Sequence, residues 1–580
     1  MIRLATLVAG IAAMAGGALA GCNDPGARFG PFYHEDVLFA RALAQTADVA
    51  PWPAPASGTI LPHHLEAAHL IAGGLRQAAG QGHSRVLLMF PDHFFRLERP
   101  FATSPQGFET VLGPVPGDPE FAAALAAAGD ALIEPSCLFD HDHGIRALLP
   151  FIAALMPDIP VVPLAVAVRS HPGEWEAMAR HLAPLLGPET LIVQSTDFSH
   201  YLPHHEARLR DQQVLNLMAA GDHLGMTRLI QPDHVDSLGS LWLHSVLQQR
   251  VHGAAPVVVA SENMQEYHPE TEIAETTSYV VAHFTDPEAP SGPPLDPQAR
   301  VHVFGGDFFV GRGFTRLLVD DLAADAVARA ALSVTQGRPL ILNLEGVLLP
   351  ETPRDPGELV LAMPAGLALD WFERLNVAGV SLANNHAMDV GPTGYAETVA
   401  ALDAAGIPHA GQGDRLELDG LTVVAMTDIS ATEQPGSALI GPALLDRTVV
   451  DDASRPVLAF PHWGREYDPN PGPREKSLAE AMRARGVAAI VGAHPHVASP
   501  QPVSLGGGDT ILLHSLGNFM FDQSSAMAPT AAVAEIWVFG QGTLFVRRRS
   551  LPNLFDIARE ALGRENRLQR SDGAAARSQR

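Results

Sequence analysis

A proline-rich segment near the middle of the chain constrains its fold more than any other feature. Residues 287–300, PEAPSGPPLDPQAR, hold five prolines and show no apolar periodicity. Proline has no backbone N–H to give to a helix or a sheet, so this composition is typical of a linker. The bodies predicted on its two sides have about 250 residues each, which is a usual size for one large domain. The sequence therefore predicts two folded bodies, at 30–286 and 301–546, joined by a linker.

Both bodies show the pattern of an α/β domain, in which short aliphatic or β-branched runs alternate with amphipathic stretches. Strands are predicted at 86–90, 159–168 and 191–194, and after the linker at 301–305, 340–344 and 377–382. Helices are predicted near 65–80, 146–156, 205–220, 365–375 and 394–405. Around 415–428 and 501–549 the pattern indicates paired strands, which we expect to form hairpins added to the second sheet.

Composition excludes several classes of protein. The formal charge of the 580 residues is 38 − 64 = −26, which argues against the electropositive surface of a nucleic-acid-binding protein. With 47% hydrophobic and 18% charged residues, the chain can bury large cores, so wholesale disorder is excluded. Two cysteines exclude a disulfide-rich scaffold and a cysteine-rich zinc module.

Residues 1–22 have the features of a lipoprotein signal peptide. The apolar run 4–20 has the length of a secretory signal rather than of a spanning helix. The LAGC ending resembles a bacterial lipobox, whose cysteine is acylated and becomes the mature N-terminus. This implies an exported protein held on the membrane through lipidated Cys22, and Asn23 implies the outer membrane, facing the periplasm or the cell surface, rather than the inner one. The alternative is an ordinary signal with a coincidental cysteine. A lipid on Cys22 would leave Cys137 without a disulfide partner.

The C-terminal segment 547–580 is basic, with nine arginines against four acidic residues, and its last ten residues are predicted to be disordered. Two interpretations stay open. The segment either docks on anionic lipid or an acidic polymer, or it is a solvated helix with a frayed end.

In the second body, residues that bind metals follow several predicted strands. Ligands gather at the carboxyl ends of strands in an open α/β sheet, so we expect these side chains to meet. Carboxylate, amide and imidazole donors together suit Mn, Fe or Zn. A lone histidine at a strand end is more often structural, so the prediction depends on their convergence. The candidates are Asp307, Glu345, Asn385, His386, His462, His494 and His496.

The motifs that carry these residues resemble, in order, those of the CapA/PgsA family of capsule and poly-γ-glutamate synthesis proteins. They are LANNHAMD (382–389), HWGREY (462–467), GAHPH (492–496) and SLGNF (515–519), within a match from about 301 to 523. The resemblance implies a calcineurin-like metallophosphoesterase fold, with two divalent ions that activate a water and clamp phosphoryl oxygens. It implies Asp307, Asn385, His462, His494 and His496 as metal ligands, Glu345 as a bridging or outer ligand, and His386 as the proton donor to the leaving group.

One departure from the metallophosphoesterase pattern is visible. No histidine follows Asp307 at the usual short spacing, because the chain continues as Phe308, Phe309 and Val310.

Two functions stay open for this body. It is either a metal-dependent hydrolase of a phosphoester or another envelope bond, or a non-catalytic factor that binds an anionic exopolymer and helps it to reach the surface.

The first body carries a second cluster of histidines and aspartates, some of which directly follow strong strand candidates. Such residues could bind one Fe or Cu ion with open positions, an aspartate could orient an imidazole, or the cluster could be structural. The motifs are PHH (62–64), PDH (91–93), DHGI (142–145) and STDFSHY (195–201).

These motifs resemble the MEMO family, protein B of the AmmeMemoRadiSam system, over about 32–284. The resemblance implies a fold related to class III extradiol dioxygenases, and a redox or dioxygenase activity is a third hypothesis. Two positions depart from the family: its Cys-Gly is Leu238-Gly239 here, so a thiolate ligand is missing, and Arg146 stands where an acidic residue is usual. A Ser-His-Asp hydrolase is disfavoured, because no Gly-x-Ser-x-Gly turn lies between a strand and a helix. The MEMO resemblance implies that His63, His93 and His200 are the metal-binding histidines, with Asp197 and His143 close by.

Overall fold

The computed structural model describes residues 21–351, 360–430, 439–449 and 455–563. This part of the chain divides into two compact units: residues up to Ala299 together with Phe539–Thr543, and Arg300–Val538 together with the residues from Leu544 on. Both are mixtures of sheets and helices, so the predicted α/β class is confirmed. The predicted signal segment 1–20 and the tail beyond 563 lie outside the described residues. Within the described ranges, no helix is long and apolar enough to cross a membrane.

The described part of the first unit is built on a sheet of nine strands. Its central strands run parallel and are buried almost throughout, which explains their continuous apolar sequences, such as RVLLMFP at Arg85–Pro91. Across the sheet the order is His200–Leu202, Thr276–Thr285, Gly58–Leu61, Thr190–Ser195, Arg85–Pro91, Val161–Val166, Phe101–Thr103 and Ile133–Pro135, with Ala255–Asn263 paired to Thr276–Thr285. Arg28–Phe29, Gly107–Thr110 and Gly113–Val115 form a smaller sheet.

Helices connect these strands, and several begin with a residue that caps their free N–H groups. Asp118, Asp142 and Ser237 each accept a hydrogen bond from the first turn of the helix that follows them. The α-helices are Val37–Gln45, Ala68–Ala78, Pro119–Ala126, His143–Arg146, Leu149–Leu155, Pro172–Leu182, His204–Ala220, His223–Met226, Leu238–Leu247 and Met264–Tyr267.

Two histidines buried away from the candidate metal ligands make the first unit sensitive to acid. Burial lowers the pKa of His244 and of His283 to about 3, from 6.5. The unfolded chain therefore binds protons first, so their contribution to stability is complete above pH 6.5 and is lost as the pH falls toward 3. We expect the Tm to fall between pH 7 and pH 5. In His283→Gln, which has one such group fewer, the fall should be shallower; an unchanged slope would contradict this account.

The proline-rich segment 287–300 differs from the expected free linker. Its residues up to Ala299 belong to the first unit, where the Leu295 amide donates to the Val259 carbonyl at 2.8 Å and Gln77 Nε2 donates to the Pro293 carbonyl at 3.2 Å. Proline lacks an N–H, but its carbonyl still accepts, so the segment packs without joining the sheet. The second unit begins directly with a strand at Arg300.

The second unit contains two main sheets among its described residues. Phe304 of one packs edge-to-face against Phe460 of the other, with ring centroids 5.6 Å apart, so the sheets share a core. The first sheet has the order His409–Ala410, Val377–Ser381, Leu340–Leu344, Arg300–Phe308, Ala531–Val538 and Leu544–Leu551, with Asn518–Met520 beside Arg300–Phe308. The second has the order Arg415–Leu418, Leu421–Thr427, Val457–His462, Ala489–Val491, Thr510–Leu513 and Val503–Leu505.

Smaller elements complete the second unit, including the short parallel pair Val347–Leu349 and Ala362–Pro364. The hairpins expected within 415–428 and 501–549 are present as adjacent antiparallel strands. The helices are Arg312–Leu318, Asp321–Thr335, Ala365–Arg374, Gly391–Ala405, Pro442–Thr448, Pro473–Arg483 and 554–563.

The start of the predicted basic tail is part of the fold. Residues 547–551 complete the edge strand Leu544–Leu551, and the side chains of Arg547 and Arg549 are buried. Both lie beside the buried Glu535 carboxylate, at 3.6 and 3.1 Å. The charge count of the segment 547–580 does not include Glu535, which neutralises these arginines from the neighbouring strand.

The two cysteines are joined. Cys22 and Cys137 form a disulfide with their Cα atoms 5.3 Å apart, closing a separation of 115 residues. The expectation that Cys137 lacks a partner therefore does not hold for this state of the chain. A lipid thioether on Cys22 is a different state of the same sulfur, and the two exclude each other.

Candidate functional site

The candidate metal ligands of the second unit lie where parallel strands of both sheets end. Asp307 is the penultimate residue of Arg300–Phe308, and His462 is the last residue of Val457–His462. Glu345 directly follows Leu340–Leu344. Strands that run in the same direction end at the same edge of the sheet, so residues far apart in sequence meet there.

A first group of donors consists of Glu345, His462 and His494, whose ligand atoms all lie within 4.8 Å of one another. His462 Nε2 is 3.1 Å from His494 Nδ1 and 3.8 Å from Glu345 Oε1. Asn385 adds its amide oxygen, 2.8 Å from His462 Nε2. Ligands about 2.1 Å from one ion are roughly 3.0–4.2 Å apart, depending on the angle between them at the ion, so the distances from His462 to His494 and to Glu345 fit a cation, and the distance to Asn385 is slightly shorter.

A second group consists of Asp307, Glu345 and His496, also within 4.8 Å of one another. His496 Nδ1 is 3.3 Å from Asp307 Oδ2. Asp307 is held in place by Asn343 Nδ2, which donates at 2.8 Å, and by the His494 N–H, which donates at 3.2 Å. Glu345 belongs to both groups, so it is placed to bridge two ions.

The Glu345 carboxylate supplies the test of whether a cation fits. It is fully buried, and among the described residues neither oxygen has a hydrogen-bond partner. Burial, followed by the nearby Asp307 carboxylate, raises the pKa of Glu345 well above its usual value. A buried carboxylate without a partner is costly, and a cation between the two donor groups removes that cost. The residues present therefore fit a divalent cation.

His386 stands at the edge of these donors. Its Nδ1 lies 2.7 Å from Asp389 Oδ2, and its Nε2 lies 3.9 Å from Glu345 Oε1. A carboxylate on Nδ1 keeps the hydrogen on that nitrogen of a neutral ring and orients Nε2. Sequence reasoning gave Asp389 no role, although a carboxylate three residues after the histidine is a usable signal.

In the first unit, His63, His93 and His143 come together, with ligand atoms within 4.8 Å of one another. The His93 ring centroid is 4.7 Å from that of His63 and 4.0 Å from that of His143. Asp197 Oδ2 is 3.5 Å from His63 Nε2. Four of the five predicted residues are thus brought together.

His200, the fifth, stands apart from that group. It lies on the edge strand His200–Leu202, with Nδ1 2.5 Å from the Phe198 carbonyl oxygen. Instead, Asp236 points at the histidines, with Oδ2 3.2 Å from His63 Nε2. The sequence gives no signal for Asp236. It follows no predicted strand, and it lies two residues before Leu238, which stands where the family has a cysteine.

Two family models match the chain, one in each unit. The model for Memo-like protein matches residues 29–287, and the model for the bacterial capsule synthesis protein PGA_cap matches residues 301–429 and 447–523. The first half is a Memo-like domain, and the second half is a PGA_cap domain. The family resemblances found in the motifs are therefore confirmed.

Individual relatives match one domain each. The PGA_cap domain is similar to the capsule biosynthesis protein CapA of Bacillus anthracis, at 34% identity over 188 residues, which is 28% of this chain and 45% of that protein. It is also similar to the PGA biosynthesis protein CapA of Bacillus subtilis, at 31% identity over 189 residues, 29% of this chain and 49% of that protein. The Memo-like domain is similar to a MEMO1 family protein of Methanopyrus kandleri, at 29% identity over 159 residues, 27% of this chain and 56% of that protein. The chain spans about half the length of the curated relatives it matches.

Burial sets the protonation of the imidazoles in the PGA_cap domain. It lowers the pKa of His462 well below 6.5 and that of His494 to about 4, so both rings are neutral at pH 7. Burial also opposes the charge of His496, but Glu345 and Asp307 raise its pKa to about 9. Neutral imidazoles are the form that binds metal, so His462 and His494 are already in that form at pH 7, whereas His496 must lose a proton to bind a metal.

The backbone of the PGA_cap site is strained. His494 and His496 have φ angles of 96° and 59°, in a region that residues with a side chain adopt at a cost of about 1–3 kcal/mol. Next to Asp307, a Cβ on Gly306 would stand 1.7 Å from the Gly517 carbonyl oxygen, so only glycine fits there. Strain of this kind is concentrated at functional sites.

The departure after Asp307 also has a structural basis. Phe309 is fully buried, with its ring centroid 5.3 Å from that of Phe521, so this position belongs to the core and offers no ligand. Nearby, Asn518 Oδ1 lies 2.8 Å from His496 Nδ1. The second donor group therefore has fewer nitrogen ligands than the first.

In the Memo-like domain, Arg146 replaces an expected acidic residue without reaching the histidines. Its guanidinium donates to the carbonyl oxygens of Phe139 and Gly30 at 2.7 and 2.9 Å, and it lies over the Phe108 ring at 5.1 Å. This is a packing role, so the substitution does not remove the metal donors.

Proposed function

We propose that this chain is an exported envelope protein of capsule synthesis, acting on a poly-γ-glutamate-like anionic polymer during its synthesis or export. The relatives of the PGA_cap domain are capsule and PGA biosynthesis proteins. We further propose that the PGA_cap domain is a hydrolase with two divalent ions. The observation that carries this proposal is the buried Glu345, shared by two groups of donors and without a hydrogen-bond partner among the described residues.

The chemistry divides between ions and side chains. Two ions at these donors would activate a water and clamp the oxygens of a phosphoester. His386 supplies the proton from its imidazolium form, which carries a hydrogen on both nitrogens: Nε2 gives its hydrogen to the leaving oxygen as the bond to that oxygen breaks, and the ring is left neutral with its hydrogen on Nδ1. Asp389 holds the His386 ring in place through Nδ1, at 2.7 Å.

A cavity of about 350 Å³ lies beside these residues and gives the substrate a place to bind. Its wall includes Asn384, which is next to the ligand Asn385, and Ala387, which follows the proposed proton donor. A cavity of this size is within the range of small-molecule sites. The rest of the lining is Leu382, Ala383, Met388, Pro392, Tyr395, Gln412, Thr427 and Ile429.

The deciding experiment measures the metal content of the purified protein and its hydrolysis of a chromogenic phosphodiester. We expect bound divalent metal, turnover, and loss of turnover in His462→Ala, which removes an imidazole facing the first donor group. Bound metal without turnover on this and related esters would contradict the hydrolase proposal.

A second candidate function is a binding factor without catalysis, in which the metal-lined cleft holds the carboxylates of the polymer. The observation that favours it is Phe309, which leaves the second donor group short of an imidazole. Retention on a polyglutamate column together with bound metal and no turnover is the result that this function predicts.

Export is proposed from the N-terminal sequence and is compatible with both states of Cys22. A disulfide forms in oxidising compartments, and a lipobox is processed at the membrane. We propose that chains processed at the lipobox carry the lipid on Cys22. Mass spectrometry of peptides from the membrane fraction should find a diacylglyceryl group on Cys22. A Cys22–Cys137 cross-linked peptide from that fraction would overturn the anchor while leaving export intact.

A further inference from the structure

Three donor atoms in the Memo-like domain surround one point. His63 Nε2 is 3.2 Å from His93 Nε2, and Asp236 Oδ2 is 3.2 Å from the first nitrogen and 3.7 Å from the second. Ligands held about 2.1 Å from one ion are roughly 3.0–4.2 Å apart, depending on the angle between them at the ion. The three atoms are therefore spaced as neighbouring ligands of a single cation.

Hydrogen bonds on the far side of each ring determine which nitrogen faces this point. His93 Nδ1 lies 2.7 Å from Asp142 Oδ1, and a carboxylate can only accept, so this nitrogen carries the hydrogen. His63 Nδ1 lies 3.2 Å from Ser195 Oγ, whose hydroxyl hydrogen is given to the Gly144 carbonyl. Ser195 Oγ therefore accepts from His63 Nδ1. When both rings are neutral, both Nε2 atoms turn a lone pair toward the same point.

Such an arrangement needs a positive charge at its centre. Two lone pairs and a carboxylate oxygen repel one another, and burial removes the water that would screen them: His63 is 3% exposed and Asp236 is 8% exposed. Either a cation or a proton shared between the rings can supply the charge. A proton on one ring can bond to only one of the other two atoms at a time, whereas a cation contacts all three donor atoms at once, so the convergence of the three atoms on one point favours the cation.

Asp236 is also held in the orientation that a ligand needs. Its Oδ1 accepts a hydrogen bond from Thr196 Oγ1, and its Oδ2 accepts one from the Asp197 amide at 3.2 Å. A carboxylate oxygen has two lone pairs, so Oδ2 keeps one for an ion. Hydrogen bonds of this kind fix metal-binding carboxylates in place.

We propose that Asp236 is the third protein ligand of a mononuclear metal centre with His63 and His93, and that this centre takes Fe(II) or Mn(II) rather than copper. The absent thiolate at Leu238 would have favoured a soft ion, whereas two imidazoles and one carboxylate form the set used by non-haem Fe(II). His143 lies beside the open positions, its ring centroid 4.0 Å from that of His93.

The test uses the full chain with the Glu345→Gln, His462→Ala and His496→Ala changes, which remove donors from both groups of the PGA_cap domain, so that the cobalt counted belongs to the Memo-like domain. We expect one Co(II) per chain. Asp236→Asn should weaken Co(II) binding by about 100-fold or more, because it removes a direct ligand. Asp236→Cys should keep the Co(II) and add a sulfur-to-cobalt charge-transfer absorption, which only direct ligation produces.

Asp197→Asn is the matched control. Its carboxylate is also close to His63 Nε2, at 3.5 Å, but we assign it no bond to the metal, and asparagine still accepts the His63 backbone N–H; Co(II) affinity should fall less than in Asp236→Asn, and Asp197→Cys should not give the sulfur-to-cobalt absorption. The proposal is overturned if the parent binds no cobalt, if Asp236→Asn binds it as the parent does, or if cobalt-loaded Asp236→Cys lacks the new absorption. Should Asp236→Cys fail to fold by circular dichroism, the Asp236→Asn titration decides.

Discussion

Glu345→Gln should remove most of the bound metal from the PGA_cap domain. Glutamine keeps the size of the side chain but loses the charge that both donor groups share. Changing even an outer partner of a metal ligand lowers affinity by about 10–100-fold, so loss of a shared ligand should lower it by at least about 100-fold. Metal content by elemental analysis and Co(II) titration measure this change, and phosphodiester turnover should fall with it.

The matched control for this change is Glu466→Gln, which removes an exposed carboxylate of the HWGREY motif outside both donor groups. It should leave metal content close to that of the parent. Because the buried Glu345 also destabilises the metal-free protein, Glu345→Gln should be at least as stable as the parent without metal. A Glu345→Gln protein that folds and still binds two ions would contradict the bridging role.

His386→Gln should slow turnover by about 10²–10⁴-fold while leaving the metal content unchanged. Glutamine cannot give up a proton to the leaving oxygen, and His386 belongs to neither donor group. The sharpest measurement compares two phosphodiesters. An alkyl leaving group needs the proton, whereas nitrophenolate leaves without it, so the loss should be large for the first ester and small for the second.

Asp389→Asn gives the companion result, since Asp389 holds His386 at 2.7 Å; its Oδ2 also accepts the Leu361 amide at 2.7 Å, and the asparagine oxygen can keep that bond. We expect a smaller loss than in His386→Gln, with a shifted pH profile of turnover because the imidazole loses its carboxylate partner. Equal losses for both esters in His386→Gln would argue against proton donation and leave a positioning role.

The fold could be predicted where buried strands have uninterrupted apolar sequences. The strand Leu340–Leu344 has the predicted bounds, and the strand predicted at 191–194 is observed as Thr190–Ser195. The same rule placed Asp307 and Glu345 at one edge of the first sheet, because strand direction alone brings carboxyl ends together; His462 ends a strand of the other sheet. Neither inference needed any knowledge of side-chain direction.

Features that depend on side-chain direction in loops could not be predicted. Asp236 reaches the histidines from the residue before a helix cap, whereas His200 turns its ring toward a backbone carbonyl. The Cys22–Cys137 pair is equally invisible, because 115 residues of separation carry no information about contact. The sequence places Arg547 at the start of a basic tail, because its charge hides its place on a strand.

The packed proline-rich segment affects where the chain can be cut. Gly292 lies against the ring of Trp52, which is only 3% exposed, and a Cβ at Gly292 would come within 2.6 Å of that ring. A truncation that ends at 287, where the family match stops, would leave this indole facing water and invite aggregation. Anyone who expresses the first half alone should therefore keep the residues through Ala299.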